Sequence, residues 1–190
     1  MKKLLDCLYR LPKKIIVFLV IGLLMTIFIV FVYAVAQNIL RSEANDPQIQ
    51  MAEEASFFLG HNGPMGPVVP ELNVELSRSL DPFIQVYNEK GSVVDGNATL
   101  NGKIPHIPKE ALDYAKGHGE HRLTWQPEKG TRIAAVISHY DGKSPGYVVT
   151  GRSLRLTEER IGNIRTLSFT TWVTLMIFLG ATYFLLAKKS

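Results

Sequence analysis

The chain has 190 residues, with 21 Lys and Arg against 17 Asp and Glu, a net charge of +4, and a single cysteine. Lys2, Lys3, Arg10, Lys13, Lys14, Lys188 and Lys189 flank two uncharged apolar runs, and the stretch between the runs carries 14 basic and 16 acidic residues. That balance excludes a nucleic-acid surface, and one cysteine excludes an intrachain disulfide, so the middle stretch must enclose its own core.

The first apolar run, 15–36, is 22 residues long. At about 1.5 Å per residue it covers roughly 33 Å, enough to cross a hydrocarbon layer of about 30 Å. The basic cluster at 1–14 is retained on the cytoplasmic side, which places the following segment outside the cell membrane. Ala34-Val35-Ala36 resembles a signal-peptidase site, but the apolar core is longer than in a cleavable signal, and an uncleaved anchor is expected. Cys7 falls on the cytoplasmic side as a spectator thiol.

The segment 37–165 has the length of one domain. The first helix is expected to continue to about Ala44, and Asp46-Pro47 to start another, with Ile49, Ala52, Ala55, Phe58 and Leu59 as its apolar stripe and Gly60 as its stop. "GHNGPMGPVVP" is a loop, a candidate rim over a pocket, and Glu71 to Leu80 reads as a short helix. "FIQVYNEKGSVVDG" reads as strand, turn, strand, and the polar, turn-rich stretch from Asn97 to Ile107 follows it. Pro108 opens a helix that Gly117 closes. Three further strands lie in "HRLTWQP", "TRIAAVISHY" and "GYVVTGRSL". In the second of these neither face is strongly polar, which fits a central strand covered on both sides. The expected fold is α+β, a five-stranded antiparallel sheet with flanking helices, between two transmembrane helices.

A charged helix then leads into the second apolar run, 167–187, and the sequence closes with 188–190 on the cytoplasmic side. Leu154, Ile161 and Ile164 recur at seven- and three-residue spacings and leave Arg155, Glu158, Glu159 and Arg165 to water. Such a seam packs on a neighbouring helix, either the one leaving the first span or its copy in a dimer, or it rests on the sheet.

Candidate chemistry is sparse. His118 and His121 bracket Glu120 in "GHGEH", but a structural metal site wants four ligands, so solvated loop residues are expected and no metal or cofactor. His139 ends a strand as a partly buried edge residue. Asn97 begins an Asn-Ala-Thr sequon, for which a polar turn is the plainer reading. No paired carboxylates and no Ser/His/Asp or Cys/His set stand out, and the spans carry no charged group at depth, so neither an enzyme nor a transporter is expected.

The order helix, two strands, helix, three strands resembles the PAS-like, or Cache, extracytoplasmic domains of bacterial sensor histidine kinases. "FIQVYNEKGSVV" is similar to the first hairpin of that family, and "TRIAAVISHY…GYVVTGRSLRLTEERI" to its last strands and exit helix. The resemblance implies a membrane-anchored sensory or accessory protein of two-component signalling. Its partner would be a separate membrane sensor kinase or a second copy, because only three residues follow the second span where the family continues into its kinase part. A two-span scaffold that uses the domain for dimerisation or assembly is the alternative. In ligand-binding members, aromatics and an arginine line a pocket between sheet and helices. Trp125, Arg132, Tyr147 and Arg152 would be the corresponding candidates here for a small-molecule ligand. Packing by the two aromatics and surface pairing of the arginines, with Arg152 or Arg155 near Glu158 and Glu159, is the plainer reading of the same residues.

Overall fold

The structure is a computed structural model and describes residues 12–44 and 46–188. Cys7 and most of the basic N-terminal cluster lie outside the described residues, as do Lys189 and Ser190. Two compact units result, one from the helical stretches up to Ile39 and from Arg160 onward, the other from Leu40–Glu159.

The helical unit takes in most of α1 (Lys13–Glu43), up to Ile39, and of the last described helix, α4 (Arg155–Lys188), from Arg160; both helices are long and apolar enough to cross a membrane. Within it the two run antiparallel. Phe18 meets Tyr183 edge to face at 5.1 Å, Leu179 lies over Gly22, and Trp172 Nε1 donates to Thr26 Oγ1 at 2.9 Å. Large apolar side chains such as Phe28, Phe31, Ile177 and Phe178 stay exposed, as a lipid-facing surface would require. Ala34 to Ala36 lie within unbroken helix.

The second unit is α+β. Its elements are α2 (Asp46–Gly60), β1 (Val74–Glu75), β2 (Phe83–Asn88), β3 (Val93–Gly96), β4 (Ala98–Thr99), α3 (Lys109–His118), β5 (Glu120–Glu128), β6 (Thr131–Tyr140) and β7 (Gly146–Ser153). The main sheet is antiparallel throughout, in the order β3-β2-β7-β6-β5, and β1 pairs with β4 as a small parallel ribbon. The β2–β3 turn follows from two residues. Asn88 Oδ1 accepts the backbone N–H groups of Lys90 and Ser92, and Gly91 supplies the positive φ of 81° that the reversal needs.

Strand alternation divides the sheet into two packed faces. Odd-numbered residues of β2, β6 and β7, with Phe83, Tyr87, Ile133, Ile137, Tyr147 and Val149, join Trp125 of β5 under Ala111, Leu112 and Ala115 of α3. Even-numbered Ile84, Val86 and Val148 meet Ala55 and Leu59 of α2, with Met65, Val68 and Val69 of the loop after α2 packed alongside. Each fully buried side chain of this size contributes about 1.5–3 kcal/mol by leaving water. The two-sided cover explains why β6 reads as an almost unbroken apolar run.

Four local expectations are corrected. Glu71 to Leu80 is not helical: Val74 and Leu76 are buried two residues apart and bond the backbone of β4 through Asn97 and Thr99, leaving Leu72 71% exposed. A helix would need Leu72, Leu76 and Leu80 on one face, and the core takes the two-residue period instead. Helix α3 runs past Gly117 and stops at Gly119, whose φ of 82° breaks it. In α2 the inward stripe is Gln48, Ala52, Ala55 and Leu59, so Ile49 and Phe58 turn partly outward. His139 lies on β6, an interior strand, rather than at an edge.

Candidate functional site

The sheet's alternation decides how the four expected ligand residues are placed. Trp125 and Tyr147 belong to the α3-side core, at 5% and 1% exposure. Arg132 and Arg152 carry even register on the other face, Arg152 opposite Ala134. The structure therefore does not gather the four around one cavity. Trp125 packs against Phe83 and Tyr147 meets the His139 ring edge to face at 5.1 Å. Arg132 pairs with Glu158, while Arg152 Nε donates to the Leu80 carbonyl and Arg155 to the Arg78 carbonyl, each at 2.9 Å. The partner of Glu158 is thus Arg132 rather than Arg152 or Arg155.

Under α3 the interior is closed by the chain's own polar groups. Tyr87 Oη donates towards Gln85 Oε1 and the Pro105 carbonyl and accepts the Ile107 N–H, and Gln85 Nε2 also donates to Pro105. Burial pushes the Tyr87 phenol up to about 12. This network fastens the strap around 105–107 to the sheet, an arrangement whose parts are all satisfied.

Asn97 is another such anchor. At 3% exposure, its Oδ1 accepts the Ile84 N–H and its Nδ2 donates to the Leu72 carbonyl. It is a buried cross-link rather than a polar surface turn, and in the folded domain it presents no amide for modification. The GHGEH residues are solvent-accessible, as expected, but they do not form a loop: His118 is exposed at the end of α3 and His121 half-exposed on β5, the His118 ring stacked on Tyr114 at 4.1 Å and the His121 ring tilted against it at 4.3 Å. Among the described residues no three His, Cys, Asp or Glu side chains come together as a metal site.

An open cavity of the domain lies on the other side of the sheet. A cleft of about 370 Å³ separates α2 from the loop after it, with Ile84 and Ala55 as floor, Met51 and Phe58 as one wall, Pro67 and Val68 as the other, and Glu54 at its rim. The Gly/Pro-rich loop does line a pocket. Sequence reasoning missed the helix side of it because Phe58 was assigned to the core stripe. Gln48, one turn earlier, was also missed: it is fully buried, and neither of its amide atoms has a hydrogen-bond partner.

The exit from the sheet is short. Leu154 alone separates β7 from α4, its N–H bonds the Arg132 carbonyl at 2.8 Å, and its carbonyl accepts from Glu158. The first turn of α4 is thus fastened to β6 by a backbone bond and by the Arg132–Glu158 ion pair. Ile161 and Ile164 are half-buried while Glu158, Glu159, Arg160 and Arg165 are exposed. At three- and four-residue steps the two isoleucines continue the half-buried line through Ser168, Trp172, Leu175 and Leu179, and Trp172 and Leu179 meet α1.

The chain matches no protein-family model, and no curated protein matches it.

Proposed function

We propose that the chain is a membrane-anchored sensory or accessory protein of the PAS-like (Cache) type, related to bacterial two-component receptor kinases. In this reading both ends are cytoplasmic, residues 40–159 lie outside the membrane, and a change in that domain passes through α4 to a separate membrane partner. The observation that carries it is the junction of β7 and α4. A strand of the central sheet runs into a membrane-length helix through one residue, and the first helical turn is tied to the adjacent strand. In this reading a displacement of β6 and β7 passes into the first turn of α4. Element order within the domain supports the same reading, since helix, hairpin, helix and three strands is the order on which the resemblance rests.

Two experiments test it. For topology, Lys129, exposed in the β5–β6 turn, is replaced by cysteine. Lys129→Cys is expected to react with a membrane-impermeant thiol reagent in whole cells, and Cys7 is not; the reverse pattern sinks the assignment. For coupling, Ile161→Asp is expected to abolish co-purification of the full-length protein with its membrane partner and to leave the melting of the 40–159 unit intact. Unchanged association would remove the seam from the mechanism.

The scaffold reading has one observation in its favour. Trp125, Tyr147 and Tyr87 fill the α3-side interior, so the fold needs no ligand there to complete its core. A small molecule retained by the purified protein would favour the sensor.

A further inference from the structure

We propose that the cleft between α2 and the loop after it is a binding site for a small organic cation, an ammonium group carried on an apolar body. The inference rests on the sensory reading only for its purpose; whether the cleft binds is independent of any output.

The cleft has the size of small-molecule sites, whose volumes run from about 300 to 1,000 Å³, and its walls are preformed. Gly63 N–H bonds the Phe58 carbonyl at 3.0 Å, and the Phe58 ring takes the space that a β-carbon at Gly63 would need. Across the gap, the loop is anchored by Met65, Val68 and Val69, which pack against the α2-side core. The lining is a phenyl ring, a thioether, aliphatic groups and one carboxylate.

That carboxylate sets the ligand's charge. Glu54 accepts one bond, from Gln50 Nε2 at 2.9 Å, and Gln50 is neutral. Among the described residues Glu54 forms no ion pair, and no cationic side chain lines the cleft. Glu54 is exposed at the rim: its carboxylate repels an incoming anion, and a neutral apolar molecule gains nothing from it. An ammonium group satisfies it, and the Phe58 ring face and Met51 sulfur favour a soft cation over a strongly hydrated one.

The full chain is placed in lipid nanodiscs with methyl-labelled methionine, and phenyltrimethylammonium is titrated against its neutral isostere tert-butylbenzene. Met51 lines the cleft and Met176 lies in the helical unit, so their methyl signals separate cleft binding from bilayer partition. The expected result is a saturable shift at Met51 with Met176 unmoved, weaker binding of the isostere, and about tenfold weaker cation binding by Glu54→Gln. The proposal is overturned by the absence of a saturable Met51 shift, by equal shifts at both methionines, or by equal affinity for the two probes. It is also overturned by unchanged affinity in Glu54→Gln, whose melting should match the parent. The sensory reading is tested by the Lys129→Cys and Ile161→Asp experiments above, whose failure would leave binding at the cleft standing, so the two fail separately.

Discussion

Gly151 of β7 and Phe83 of β2 face each other across the sheet, and the Phe83 ring occupies the space a side chain at Gly151 would need. An ideal β-carbon there would lie 2.6 Å from Phe83 Cζ and 2.9 Å from Ile133 Cγ2. The glycine is required for packing, not for its backbone angle. Gly151→Ala should therefore destabilise the domain by about 1–3 kcal/mol through overpacking. Adding Phe83→Leu to that variant should return part of the loss, because the obstructing ring is removed. Thermal melts of the two single variants and the double variant measure the coupling, and simple additivity would disprove the contact's role.

Tyr87 ties stability to alkaline pH. Its phenol is raised from 10.0 to about 12 in the folded protein by burial. Above pH 10 the unfolded chain loses this proton while the folded chain retains it, so the stabilisation is fully present below 10 and is lost as pH rises towards 12. The melting temperature of the parent should fall across that window, and Tyr87→Phe should fall less steeply. At neutral pH the same variant should be less stable by about 1–3 kcal/mol, since Pro105 and Ile107 lose a buried partner.

Gln48 offers a stabilising change. Its side-chain amide is buried without a partner, whereas its backbone carbonyl accepts the Thr150 hydroxyl at 2.6 Å and would keep that bond in any variant. Gln48→Leu should raise stability by about 1 kcal/mol, because the unsatisfied polar group is removed at similar volume. A lower melting temperature would show that the amide has a partner outside the chain.

The Thr26–Trp172 hydrogen bond joins α1 to α4 within the helical unit. Bonds of this kind in membranes average about 0.6 kcal/mol and reach about 1.7. A double-mutant cycle with Thr26→Val and Trp172→Phe, read by unfolding in mixed micelles, should give a coupling in that range. Zero coupling would mean that the helices associate through apolar contacts such as those of Phe18, Gly22 and Leu179, without help from this bond.

Several features were legible locally. The hairpin of β2 and β3 could be read because Asn88 and Gly91 encode their turn within five residues, and β6 because its apolar run is continuous. The break between α1 and α2 was marked by Asp46-Pro47. What failed locally was the assignment of faces. Leu72, Leu76 and Leu80 fit a helix, Val74 and Leu76 fit a strand, and both patterns occupy the same residues; the pairing with β4 decided between them.

The sequence by itself determined the division into two membrane-length helices and an α+β domain, because net hydropathy over 20 residues and turn chemistry over five are properties of contiguous chain. Only the tertiary structure decided which polar residues are buried and which groups share a cavity. Asn97 is held by residues 13 and 25 positions away and Gln48 by one 102 positions away, and no local pattern records such partners. The same holds for the four residues first expected to bind a ligand. Trp125 and Tyr147 were separated from Arg132 and Arg152 by strand register, and a shift of one residue exchanges the faces of a sheet. The cleft with Glu54 at its rim exists because a loop folds back over the helix that precedes it, which is a property of packing alone.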